Sequence, residues 1–155
     1  MRMTWKGLTA TALALGALHL AFEAGAATPI RVAAANLTSG DAQSWLAPGE
    51  RILKALKPDV TLIQEFRIGD SASDASGDTD AFVARVFGAG YHWMREPGGD
   101  AIPNGVVSRW PILASGQWAD PSAPNRDFAW ARIDLPGDRD LWAVSVHLLT
   151  TGASE

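Results

Sequence analysis

Two short apolar strands frame a helix within some 35 residues of this chain, and that arrangement restricts the fold more than any other feature. The first strand, Ile30-Arg31-Val32-Ala33-Ala34-Ala35, is built from small residues and stops at Asn36. A polar loop with Gly40 follows, then a helix from Pro48 to Leu56. Pro48 suits the first helical turn, Ile52, Leu53 and Leu56 form an apolar stripe, and Pro58 ends the helix. The second strand, Asp59-Val60-Thr61-Leu62-Ile63-Gln64, runs out at Glu65. A strand, a helix and a strand so close together close into a right-handed βαβ unit, so the two strands should be parallel.

Beyond that unit the pattern continues as α/β. Residues 70–80 read as a Ser/Asp/Gly loop and residues 79–87 as a short helix, with Phe82, Val83, Val86 and Phe87 on one side and Gly88 and Gly90 at its end. Strands are expected at Tyr91–Arg95, Gly105–Ser108 and Ile112–Trp118. Ala129–Leu135 and Leu141–His147 should form a hairpin about Pro136-Gly137-Asp138. No internal repeat is visible.

Composition excludes several chemistries. The chain has 155 residues, 47% of them hydrophobic and 19% charged, a globular mixture of a size for one domain. The absence of cysteine removes disulfide frameworks, thiolate-held zinc, iron–sulfur clusters and thiol nucleophiles together. A formal charge of −4 leaves no basic footprint for a duplex-coating protein, but it does not exclude an enzyme that meets phosphate through a metal ion.

The N-terminus reads as a leader. Arg2 and Lys6 precede an apolar stretch from Gly7 to Phe22, and Ala24-Gly25-Ala26-Ala27 supplies small residues for cleavage, the three parts of a secretory signal peptide. The stretch is short for a bilayer span, although an uncleaved anchor or a buried helix are the alternatives. Residues 1–27 are therefore expected to be removed, leaving residues 28–155 secreted or periplasmic, with no stable membrane span and no specific protein partner implied.

The candidate site residues sit just past the ends of apolar strands. Asn36 follows the first strand, Glu65 the second, and His147 closes the last. In open α/β sheets ligands gather at this carboxyl rim. A carboxylate with an amide neighbour suits a hard cation that keeps most of its waters. An imidazole across the crevice suits a leaving oxygen or a phosphate oxygen. Walker A, H-E-x-x-H, G-x-S-x-G and complete G-x-G-x-x-G motifs are all absent.

Four segments occur in order: Arg31–Asn36; Lys57-Pro58-Asp59-Val60-Thr61-Leu62-Ile63-Gln64-Glu65; Asn104-Gly105-Val106-Val107-Ser108-Arg109-Trp110-Pro111-Ile112; and Val144-Ser145-Val146-His147-Leu148. Together they resemble the endonuclease/exonuclease/phosphatase family, the superfamily of DNase I, over roughly residues 30–149. In the first segment Ala35 replaces the family's tryptophan. The resemblance implies half of a four-layer α/β/β/α sandwich, with a mixed sheet and flanking helices, and a metal-dependent phosphoesterase of nuclease-like type. It implies that Glu65 binds the catalytic Mg²⁺ (or Mn²⁺ or Ca²⁺), that Asn36 supports the metal and phosphate site, and that His147 touches the scissile phosphate or its leaving oxygen. Asn104 and Arg109 would contact phosphate or brace the site. The implied substrate is a phosphodiester, nucleic acid among the candidates.

Each residue also has an ordinary reading. Glu65 would be a charged strand end, Asn36 a turn former, His147 a hydrogen-bonded structural histidine, Asn104 the residue that permits the turn before Gly105, and Arg109 a structural bridge. Asn36-Leu37-Thr38 also matches a glycosylation acceptor, read as chance because a pocket residue cannot carry a glycan. Asn125-Arg126-Asp127 could bring Arg126 or Asp127 near the crevice. Asp70, Asp74, Asp78 and Asp80 miss the spacing of a calcium loop and read as solvated. Trp45, Trp93, Trp110, Trp118, Trp130 and Trp142 fall mostly in strand patterns, so core packing is expected, with stacking on bases or sugars the functional alternative.

The family's Gly-Asp-x-Asn and Ser-Asp-His segments, which follow its His-Leu strand, have no counterpart in the sequence. The chain is accordingly expected to be the N-terminal half of the fold, inactive without the missing half, with an apolar, unpaired inner sheet face that promotes association. A non-catalytic exported binding module that uses its surface aromatics is the alternative function.

Overall fold

The computed structural model describes residues 29–37, 46–68, 76–97 and 102–148. The leader of residues 1–27, Gly40, Trp45, Asp70, Asp74 and the chain end lie outside the described residues. The described elements run β1 (Val32–Asn36), α1 (Ala47–Leu56), β2 (Val60–Gln64), α2 (Ser76–Val86), β3 (His92–Arg95), β4 (Gly105–Ser108), β5 (Ile112–Trp118), β6 (Phe128–Ile133) and β7 (Leu141–Ser145). None of the described helices is long and apolar enough to cross a membrane.

β1 and β2 pair in parallel with α1 between them, as the opening pattern requires. The strands form two sheets, a four-stranded one ordered β1-β2-β4-β3 and a three-stranded one ordered β5-β6-β7. β4 is antiparallel to both its neighbours, and the second sheet is antiparallel throughout.

Strand alternation sets the layers. Ile63 of β2 and Val107 of β4 face the helices, where they pack with Leu53 of α1 and Phe82, Val83 and Val86 of α2. Val60, Met94 and Val106 face the other way and meet Ala129, Ala131, Ile133 and Ala143 of the second sheet. Alanines at three of these positions let the two sheets approach closely. The result is helices, sheet, sheet: the α/β character and DNase I-like layering that the resemblance implied, with strands of both sheets supplied by this chain.

Three expectations change. The inner face of the first sheet is covered over β2, β3 and β4 by β6 and β7, not unpaired. β1 lies at the sheet edge, where Val32 remains 56% exposed. The second helix begins at Ser76, so the end of the supposed acidic loop is helical. Asp80 within it accepts a hydrogen bond from Trp93 Nε1 at 2.7 Å. Tryptophan burial also differs from expectation. Trp118 and Trp142 are 51% and 56% exposed and, with Trp130 between them, form a layer of indoles on the outer face of the second sheet. Gly116 makes this possible, because a Cβ there would lie 2.8 Å from the Trp130 ring.

Candidate functional site

Parallel strands β1 and β2 end side by side, with Asn36 paired to Gln64 in the register and Glu65 one residue beyond. Glu65 adopts a left-handed backbone at φ 55°, which few non-glycine residues occupy, and this turns the chain out of the sheet. The turn is held from both sides. Leu37 N–H donates to Gln64 O at 2.9 Å, and Phe66 N–H donates to Pro103 O at 2.6 Å. Phe66 is fully buried beneath it, in edge-on contact with Phe82 and Trp93. The strained residue is thus set by hydrophobic anchoring on one side and strand pairing on the other.

Asn36 Nδ2 donates to Glu65 Oε1 at 3.0 Å, and His147 Nε2 stands 3.7 Å from the same oxygen. The three side chains that the sequence placed at strand ends therefore meet at one point. His147 lies two residues past the end of β7, not inside the strand. It is positioned by Ser145, whose hydroxyl donates to Ile63 O at 2.7 Å and accepts from Gln64 Nε2 at 3.1 Å. This clip between β7 and β2 was not singled out in the sequence, although both residues lie in the quoted segments.

The imidazole is only 14% exposed, and the Glu65 side chain 18%. Burial holds the His147 pKa below its ordinary value, the nearby Arg126 charge adds to this, and Glu65 acts in opposition. These effects favour the uncharged ring, and its buried Nδ1 has no hydrogen-bond partner among the described residues. Arg126 Nη1 donates to Leu148 O at 3.0 Å, so the Asn125-Arg126-Asp127 segment does reach the crevice, through its arginine.

Asn104 and Arg109 separate. Asn104 is fully buried, its Nδ2 donating to Asp127 O at 2.6 Å and its backbone N–H to Glu96 Oε1 at 2.7 Å. It directly follows Pro103, whose carbonyl holds Phe66. Arg109 lies at the other end of β4 and bridges Asp59 at 3.1 Å. β2 and β4 are antiparallel, with Ile63 opposite Gly105 and Val60 opposite Ser108. The Asp59–Arg109 bridge consequently sits about 20 Å from Glu65 along β2. The expectation of Arg109 at the phosphate site is corrected on that ground, and its reading as a structural bridge stands.

Among the described residues no three His, Asp or Glu side chains gather closely enough to hold an ion by themselves. What the crevice offers is one carboxylate, one amide and one neutral imidazole, hard oxygen donors beside a nitrogen. Such a set fits a cation that retains most of its water shell.

No family model and no curated protein matches the chain. Solved structures do. An endonuclease/exonuclease/phosphatase from Beutenbergia cavernae superposes with a TM-score of 0.58 at 23% identity, over 80% of this chain and 39% of that one. A truncated Caenorhabditis elegans TDP2 superposes with a TM-score of 0.59 at 15% identity, over 79% of this chain and 47% of that one. The chain thus spans less than half the length of these neighbours. At such identities the likeness is one of fold: the chain is similar to part of the endonuclease/exonuclease/phosphatase fold.

Proposed function

We propose that the Asn36–Glu65–His147 crevice is part of a metal-dependent phosphoesterase site that acts on a phosphodiester, nucleic acid among the candidates. The observation that supports it best is the convergence of a strained, turned-out Glu65 with Asn36 and His147 at the carboxyl ends of two parallel strands. Glu65 and Asn36 would hold the cation, Mg²⁺ or else Mn²⁺ or Ca²⁺. When bound, it supplies Lewis-acid polarisation of a phosphoryl oxygen.

The chain's own residues supply the rest. Asn36 fixes the Glu65 carboxylate through its amide, so the donor oxygen does not wander. Neutral His147 carries one ring N–H, which would hydrogen-bond a phosphate oxygen or the leaving oxygen without giving up its proton. The Ser145–Gln64 clip holds the imidazole against the rim. Phe66 and Ile63 close the floor to water. The chain is expected to bind the cation through Glu65 and Asn36. Export through residues 1–27 belongs to the same proposal.

The test is Mn²⁺ titration followed by electron paramagnetic resonance. One ion should bind per chain, and Glu65→Gln should weaken it about tenfold or more. Equal binding by the Gln variant overturns the assignment of Glu65.

A further inference from the structure

The end of β2 remote from Glu65 opens into a second cavity, of about 370 Å³, within the range of small-ligand sites. We propose that this cavity binds a small aromatic organic phosphate. Its wall is apolar: Leu53 of α1, Val86 of α2, and the rings of Phe87 and Tyr91, whose centroids lie 5.8 Å apart. A flat ring fits such a wall. Its rim is cationic, with Lys54, Lys57 and Arg109. Arg31 stands beside them, with its guanidinium on the Leu56 and Lys57 carbonyls at the end of α1, where it offsets the negative end of the helix.

The acidic groups nearby, Asp59 in the cavity lining among them, neutralise only part of this rim. Asp59 bridges Arg109, and Glu50 takes both Lys54 and Arg85. Among the described residues no carboxylate pairs with Lys57. In a chain of net charge −4 this is a local excess of positive charge, placed where an apolar cavity meets solvent. The phosphate would sit at Lys57, with the ring against Phe87 and Tyr91.

A second observation singles out Lys57. It closes α1 in a left-handed conformation, φ 47° and ψ 56°, with its N–H donating to Leu53 O. Glycine is the ordinary occupant of that position, and any side chain there is held against a backbone preference.

Tyr91 is the single tyrosine of the chain, so its ring resonances are readily assigned. It also borders a neighbouring cavity, so the Phe87 signals, which belong to this cavity only, are followed beside it. Phenylphosphonate is the probe, since its carbon–phosphorus bond is no target for a phosphoesterase. The expected result is a saturable shift of the Tyr91 and Phe87 ring signals, with inorganic phosphate binding more weakly. Lys57→Gly should weaken the probe about fivefold, while its melting temperature rises by about 3 °C. Should the glycine variant prove unstable, Lys57→Asn, which tolerates the same backbone, must show the same loss of affinity. No saturable shift, unchanged affinity in the folded Lys57 variants, or equal binding of inorganic phosphate overturns the proposal.

Discussion

Asp59 shows how much one side chain can hold together when it stands where three strands begin or end. Its carboxylate accepts the Arg31 N–H at 2.9 Å and Arg109 Nη1 at 3.1 Å. Its backbone N–H donates to Arg31 O and its carbonyl accepts the Arg109 N–H, each at 2.8 Å. The hydrogen bond from Arg31, seconded by the charge of Arg109, holds the carboxyl below its ordinary value of 3.8 against the opposing effect of burial. A depressed carboxylate pKa gives stability that is present above the unfolded value and is lost as pH falls through the folded one. Asp59→Asn should therefore cost about 1 kcal/mol at pH 7. The gap between wild type and variant in urea unfolding should close as pH is lowered past 3.8. A gap that is constant with pH would show that the charge contributes nothing.

At the scale of elements, the site depends on how β4 enters the first sheet beneath the Glu65 turn. Gly105 opens β4, and a Cβ there would stand 2.6 Å from Met94 O and strike the Phe66 ring. Only a residue without a side chain lets Phe66 cross under the turn that projects Glu65. Gly105→Ala is expected to destabilise the fold by about 1–3 kcal/mol, as overpacking does in other cores. It should also reduce Mn²⁺ affinity at temperatures where the variant is still folded, because the backbone that carries Glu65 must shift. Normal metal affinity in the folded variant would show that the turn is set without this packing.

The same element explains what the sequence reading missed. Asn104 and Arg109 flank the four-residue β4, so an extended strand alone keeps them about 17 Å apart. They could not share one rim. Antiparallel pairing with β2 then assigns Asn104 to the Glu65 end and Arg109 to the Asp59 end. The strand and its length were legible, but the direction of its pairing was not, because that is settled by long-range closure. The position of His147 was legible as a strand end only to within two residues, since Ser145 ends the ladder by turning its hydroxyl into the β2 backbone.

For the whole molecule, the largest departure concerns which apolar face is left open. Association was expected from an unpaired inner sheet face, yet β6 and β7 cover it. One exposed apolar surface lies instead on the outer side of the second sheet, where Trp118, Trp130 and Trp142 stack. Among the described residues no helix covers this face. Contiguous apolar patches of this kind promote association. Concentration-dependent self-association, read by sedimentation velocity, should fall in the double variant Trp118→Ser, Trp142→Ser, with the melting temperature changed little because both indoles are half in solvent. Undiminished association would assign it to another surface, the open edge at β1 first.

The sequence by itself determined the local order: small-residue strands, an amphipathic helix between them, polar residues at the strand ends, and the segments that resemble the endonuclease/exonuclease/phosphatase family. These follow from side-chain periodicity and turn chemistry, which act over a few residues. Only the tertiary structure decided that the seven described strands divide into two facing sheets, that Asn36, Glu65 and His147 meet while Arg109 stands apart, and that Trp118, Trp130 and Trp142 face outward. Those outcomes depend on contacts between residues tens of positions apart, such as Ser145 with Ile63 and Asn104 with Asp127. Neither partner's own neighbourhood in the sequence specifies them, because the hydrogen bond exists only once both strands have been brought into register.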